Sequence, residues 1–255
     1  MNAGSGKNHG AALNKAIAVL ELITAQNQAV GLVDVSTKLK LPRQTVHRVL
    51  LQLEELGLIV RDAARDRFYV GPKLSQLAIN ALFSENHNLP TRVILRELVD
   101  DIRESCNIGV LDGMDFVYLD RIEADQTLRV HSEAGSHVPA YCTSGGKILL
   151  AYLPKSQQQK LLGLKELRPF TSKTCTDPVQ LEQELDTIRS LGYAANDQEH
   201  TDGVVGVAMP ILDSSGRAIA AIACHAPVAR ISLDQLKTFL PKIEASAKSL
   251  GSYWS

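Results

Sequence analysis

The stretch from Pro42 to Gly57 constrains the fold more than any other part of the chain. Val46, Val49, Leu50, Leu53 and Leu56 recur at helical spacing, while Arg43, Gln44, Thr45, His47, Arg48 and Gln52 fall on the opposite face. Proline suits the first helical position, where its missing N–H costs no intrahelical bond, and glycine suits the stop. Upstream, Leu13, Ala16, Ile17, Leu20 and Ile23 form a second helical stripe over Leu13–Ala25. Leu32–Leu39 lies between these two and is ambiguous. Taken alone, Val33, Val35 and Leu39 against Asp34, Ser36 and Lys38 read nearly as a period-two strand. A break at Lys40–Leu41 follows it.

Arg, Gln and Thr at the start of a helix match phosphate oxygens and the base edges of a major groove. Helix, tight turn and a second helix with its leading residues outward is the helix-turn-helix arrangement. After Gly57, Leu58–Arg61 and Arg67–Val70 read as two strands around Asp62–Asp66. They form a wing that would carry Arg61, Arg65 and Arg67 to the DNA backbone or minor groove. The bland alternative is a small helical bundle whose charged face is merely solvated.

Charge agrees with a division into two parts. Of 27 Lys/Arg and 28 Asp/Glu in 255 residues, the first 89 residues hold ten basic against seven acidic, leaving the remainder net acidic. A basic first third fits a polyanion partner. Apolar runs such as Ile148–Leu153 and Ala218–Cys224 fall far short of the roughly 20 residues of a membrane helix. Residues 1–11 read as a disordered leader, without the apolar core of a secretion signal. Cys106, Cys142, Cys175 and Cys224 are dispersed, which argues against a disulfide framework and for a reducing cytoplasm.

Past residue 73 the pattern changes. Leu74, Leu77, Ala78, Ala81 and Leu82 mark a linker helix over 74–89, and a second domain is expected from about Pro90 to the end. Thr91–Cys106 reads as a helix, and Asn107–Leu111 and Phe116–Arg121 as strands around Asp112-Gly113-Met114-Asp115. Thr127–His131 reads as a further strand, Lys147–Leu153 and Asp177–Leu191 as helices. Tyr193–Asp197, Val205–Asp213 and Ala218–His225 read as strands. Ser232–Leu250 reads as a closing helix with Ser232 as N-cap. Antiparallel strands flanked by helices define an α+β class.

Five blocks in order carry a resemblance over roughly residues 12–250. They are Leu41–Arg48 within Leu13–Leu74, Gly135–Pro139, Ser144–Lys147, Gly192–Gly203 with Asp197-Gln198-Glu199-His200, and Ala208–Pro227. Together they resemble the IclR family of bacterial transcriptional regulators. The resemblance implies a winged helix-turn-helix over 12–73, the linker helix contributing to dimerisation, and a GAF/profilin-like effector-binding domain over 90–255. Two departures stand out: Lys40 where the family's turn often has Gly, and Ser36 where Ala is common.

Thr143-Ser144-Gly145-Gly146-Lys147 lies at a loop-to-helix junction, where exposed backbone N–H groups can hold an anion. From the residues alone, the glycines could equally serve a turn and tight packing. The resemblance implies a small carboxylate effector held by Thr143, Ser144, Gly145, Gly146, Asn196, Asp197, Val204, Gly206 and Ala223. Relatives often have Asp, Cys and Ser in place of Asn196, Gly206 and Ala223, which implies a roomier, less polar pocket and an effector bulkier than pyruvate, such as an aromatic acid. No catalytic residue, cofactor or metal is expected: His131, His137, His200 and His225 lack zinc-ligand spacing, and Cys142 near His225 would more often be packing than chemistry. Two rival classes are a sensor that signals through a protein partner and an enzyme built on the sensor fold. The expected partners are a palindromic operator duplex, an acid effector and a second copy or copies of the chain.

Overall fold

In the computed structural model the described residues are 6–26, 28–62, 66–82, 89–127, 133–163 and 166–254, with backbone alone for 6–11, 79, 82 and 89. The chain divides into two compact units, 1–81 and 82–255.

The first unit comprises α1 (Gly6–Thr24), β1 (Val30–Gly31), α2 (Leu32–Leu39), α3 (Arg43–Glu55), β2 (Ile59–Asp62), β3 (Arg67–Val70) and α4 (Pro72–Leu82). Val19 and Ile23 of α1, Val35 of α2, and Val46, Val49, Leu50 and Leu53 of α3 close over Ile59 and Phe68 in one apolar core. Each Leu or Ile so buried contributes about 1.5–3 kcal/mol of transfer free energy. The segment 32–39 is a helix: Val35 alone is buried, and Val33 is 51% exposed, so its two-residue alternation is incidental. α1 starts at Gly6, inside the stretch read as a leader; residues 1–5 lie outside the described residues.

The turn between α2 and α3 manages without glycine. Lys40 itself takes the left-handed conformation (φ 53°, ψ 37°). Its N–H bonds the Thr37 carbonyl and that of Leu41 bonds the Ser36 carbonyl at 3.2 Å, the paired closure that ends many helices. Ser36 Oγ also donates to the Leu41 carbonyl at 2.7 Å, which gives the departure from Ala a structural purpose. Pro42 is the N-cap of α3 rather than its first turn. β3 lies between β2 and β1, so the wing is three-stranded; the two-residue β1 is too short to show a period.

The second unit is built on an antiparallel sheet in the order β6-β5-β4-β9-β8-β7. Its strands are β4 (Ser105–Asp112), β5 (Asp115–Ile122), β6 (His137–Pro139), β7 (Ala194–Asp197), β8 (Val204–Leu212) and β9 (Ala218–Pro227). Strand alternation divides the two faces. Ala220, Ile222, Cys224 and Ala226 of β9 point to a core with α5 (Leu89–Ile102), α9 (Leu233–Lys237) and α10 (Leu240–Trp254). Ala221 and Ala223 point to the opposite core, with α6 (Ser144–Tyr152), α7 (Lys155–Leu162) and α8 (Pro178–Leu191).

The first helix ends at Ile102, not Cys106; Arg103 turns left-handed (φ 59°) and Cys106 lies within β4, paired in register with Cys224. The expected closing helix is two helices, α9 and α10. Ser232 does cap the first, with Oγ accepting from Gln235 N–H in a reciprocal capping box. The strand expected at Thr127–His131 falls almost wholly outside the described residues, and the short edge strand β6 carried too little alternation to be read.

Candidate functional site

Two places gather the singled-out residues. On α3, burial of Val46, Val49, Leu50 and Leu53 turns the other face outward. Arg43, Gln44, His47 and Arg48 are exposed and Thr45 half-buried. No side-chain cap occupies the start of this helix, so its dipole and its side chains face solvent together.

The wing arginines are arranged differently. Arg61 Nε donates to Asp66 Oδ1 at 2.7 Å, with the guanidinium 5.8 Å from the Phe68 ring centroid. Arg67 donates to the Ala29 carbonyl at 2.8 Å and approaches Asp34 at 3.5 Å, tying β3 to the start of α2. These two were expected to reach phosphate, yet each is held by its own domain. Arg65 lies outside the described residues.

In the second unit, α6 begins earlier than its apolar run indicated. Thr143 is its N-cap, its Oγ1 accepting from Gly146 N–H at 3.3 Å and its carbonyl from Lys147 N–H at 2.8 Å. The glycines make room. A Cβ on Gly145 would lie 2.6 Å from the Phe116 ring, and one on Gly146 would run into the Ala140 backbone. Close packing therefore accounts for both glycines.

Beside this helix start lies a cavity of about 370 Å³. Thr143, Asn196 and Val204 line it, joined by Tyr118, His200 and His225 among others. Of the other expected effector residues, Ser144, Gly206 and Ala223 lie behind this lining, at or next to His225. Gly206 pairs with His225 across β8 and β9, and Ala223 is fully buried opposite Asn107. Asp197 does not face the cavity: it is half-exposed and ion-paired with Lys173 at 2.7 Å. The lining is also more polar than small residues at 206 and 223 imply, because histidines from neighbouring positions fill the space. A larger cavity of about 760 Å³, bounded by Tyr152, Leu191, Met209, Leu212 and Ala247, contains none of the expected residues.

Two buried polar constellations went unread in the sequence. Lys147 is fully buried, and its Nζ reaches Glu184 at 2.6 Å and Glu199 at 2.7 Å. Burial pushes the Glu199 carboxyl above its ordinary value, against the pull of Lys147. Asn196 supports the same loop, with Oδ1 accepting from Glu199 N–H and Nδ2 donating to the Cys142 carbonyl. A lone lysine between Gly145-Gly146 and the apolar run Ile148–Leu153 was the available clue. The second constellation is His225, whose Nδ1 lies 2.9 Å from Asn107 Nδ2. Burial lowers this imidazole to about 3, with Arg121 and His200 pushing the same way. Burial also lowers His200, whose Nδ1 meets Thr201 Oγ1 at 3.1 Å. Cys142 is engaged elsewhere: its Sγ donates to the Pro139 carbonyl, and burial with the nearby Glu199 pushes its thiol up to about 12, far from a nucleophile. Among the described residues no cluster of three metal-ligating side chains occurs.

Residues 12–63 match the family described as IclR helix-turn-helix domain, and residues 85–252 match that described as bacterial transcriptional regulator IclR, C-terminal. The chain belongs to the IclR family of transcriptional regulators. It is a DNA-binding regulator rather than an enzyme, and its family binds DNA and small-molecule effectors. It is 39% identical over 244 residues to SauR of Cupriavidus necator, named as a transcriptional regulator, covering 95% of this chain and 97% of that one. The crystal structure of Thermotoga maritima IclR superposes with a TM-score of 0.63 at 26% identity, covering 94% and 97%. The inducer-binding domain of an Acinetobacter PobR double mutant, solved with 3-hydroxybenzoic acid, covers 62% of this chain and 94% of its own, with a TM-score of 0.59 at 30% identity. No helix among the described residues is long and apolar enough to cross a membrane.

Proposed function

We propose that this IclR-type regulator controls catabolism of a small carboxylate, an aromatic acid in particular, by binding a palindromic operator as a cytoplasmic dimer or tetramer. The domains run over 12–73 for DNA binding, 74–89 for the linker helix and 90–255 for the effector. Arg43, Gln44, Thr45, His47 and Arg48 contact bases and phosphates, and Arg65 contacts phosphate. Arg61 and Arg67 add to the positive field while staying tied to Asp66 and Asp34. The observation that carries this reading is the exposed polar face of α3, opposite a fully packed apolar one. Exposed Leu13 and Ile17 on α1 and Leu77 on α4 support self-association.

The effector sits in the cavity lined by Thr143, Asn196 and Val204, with Ser144, Gly145, Gly146, Gly206 and Ala223 as the further residues of its site. The 3-hydroxybenzoic acid in the PobR domain supports an aromatic acid. Such a ligand acts only by binding one arrangement of the regulator better than another. A mobility-shift assay with the duplex upstream of its own gene, repeated with acids that raise the melting temperature, tests the proposal. Retarded duplex whose affinity an acid changes is the expected result; no retardation at low salt overturns it.

A further inference from the structure

One apolar side chain of α3 is left out of its core. Leu51 is 44% exposed, while Val49, Leu50 and Leu53 close to it in sequence are buried. Helical spacing explains the difference. Gln44, Arg48 and Leu51 stand at i, i+4 and i+7, one above another on the side facing away from the core, with His47 beside them. Gln44, His47, Arg48 and Gln52 on this side are exposed too, and Glu54 and Glu55 then turn the surface acidic. A leucine exposed singly is ordinary on a protein surface. This one lies within the stretch Arg43–Gln52, which carries the positive charge of the helix and ends before the acids that would repel phosphate. Among the outward side chains of that stretch it alone has no hydrogen-bonding atom.

We propose that Leu51 is a specificity-determining residue, packing its methyl groups against the C5-methyl of a thymine in the major groove of the operator. The inference rests on the reading of α3 as the surface that meets DNA, and it adds an apolar contact to the polar ones. Of the four bases thymine alone shows a methyl group in that groove, the feature that a side chain without donor or acceptor can read. Arg43 and Arg48 supply the attraction to phosphate that brings helix and duplex together. The leucine carries no charge, so it adds selectivity without releasing counterions. A second copy of the chain seated over the same leucine would bury Gln44, His47 and Arg48 with it. That would strip water from charged and amide groups which the duplex instead provides with partners.

The test uses the full chain and the duplex upstream of its own gene, with each thymine replaced in turn by deoxyuridine, which removes the methyl and keeps the pairing. At one thymine of a half-site the replacement should weaken binding of the parent by about 3- to 10-fold, the size expected when one or two methyl groups leave an apolar contact. The salt slope should not change. Alanine is a good helix former, so Leu51→Ala keeps the fold. It should weaken binding of the unmodified duplex by at least as much and show no further loss at that thymine. Leu51→Met, apolar and of similar volume, should retain the response. A parent indifferent to every thymine methyl, or an equal loss at that thymine in Leu51→Ala, overturns the proposal. So does a Leu51→Ala variant whose assembly size changes in sedimentation, since the leucine would then pack against another copy. A flat uracil scan with Arg43→Ala still weakening binding removes Leu51 and leaves α3 on the DNA; if Arg43→Ala also binds like the parent, the reading of α3 falls with it.

Discussion

Two helix starts, at α3 and at α6, show how one local device serves opposite ends. α3 opens after Pro42 with no side-chain cap and sends Arg43, Gln44, His47 and Arg48 into solvent. α6 opens on Thr143, which caps it, and its first four residues, Ser144 to Lys147, are all buried. One start is open to a partner from outside. The other is drawn into the fold, where glycines admit neighbours and a lysine is enclosed. What separates them is burial, set by packing partners far along the chain.

Disrupting the enclosed start should have the largest effect. Lys147→Met leaves Glu199 buried without its cation and should destabilise the second unit by about 3–5 kcal/mol, read by urea denaturation. Adding Glu199→Gln should recover much of that loss; a double variant as unstable as the single one would mean that the pair is not coupled. Gly146→Ala forces a methyl group into the Ala140 backbone and should cost about 1–3 kcal/mol by the same measurement. A comparable change on the open side, Gln44→Ala, should leave stability within about 0.5 kcal/mol.

The difference in environment also explains what could be read from sequence. The apolar stripe of α3 was legible through Val46, Val49, Leu50 and Leu53 because it is contiguous and local, although Leu56, read as part of it, is 52% exposed. The helix over 32–39 was not, since Val33 mimics an alternation that Val35 alone satisfies. In the second unit most strands were legible as runs between turn signals, being buried on both faces, although their ends and the Ile102 stop were not. The pocket was only partly so. Asn196 stands in a motif block and Thr143 and Val204 flank two of them, whereas Tyr118 reaches the cavity through the register of β5, and His225, although inside a block, through that of β9. Asp197 was misplaced for the same reason, since strand alternation turns it away from Asn196 toward Lys173.

A smaller effect concerns pH. The unfolded chain protonates His225 near 6.5, while the folded chain resists to about 3, with Arg121 and the titratable His200 adding to burial. Its neutral form is the one the fold favours, so this contribution is complete above about pH 6.5 and is lost as pH falls from there toward 3. The slope it adds is at most about 1.4 kcal/mol per pH unit. Comparing parent and His225→Gln by denaturation from pH 7 to pH 4.5 should show a shallower fall in the variant; equal slopes would remove His225 from the account. A small effect is also expected at the tied wing arginine, where Arg61→Ala breaks an exposed pair with Asp66 worth about 0.2–1 kcal/mol.

The open helix start is tested most directly by fluorescence anisotropy of the duplex upstream of the protein's own gene, titrated at several salt concentrations. Arg43→Ala should weaken binding and lower the salt slope by about 1, while Arg61→Ala stays close to the parent. A parent that ignores the duplex at low salt, or an Arg43→Ala variant that binds with the parent's affinity and slope, would contradict the assignment of α3 as the surface that meets DNA.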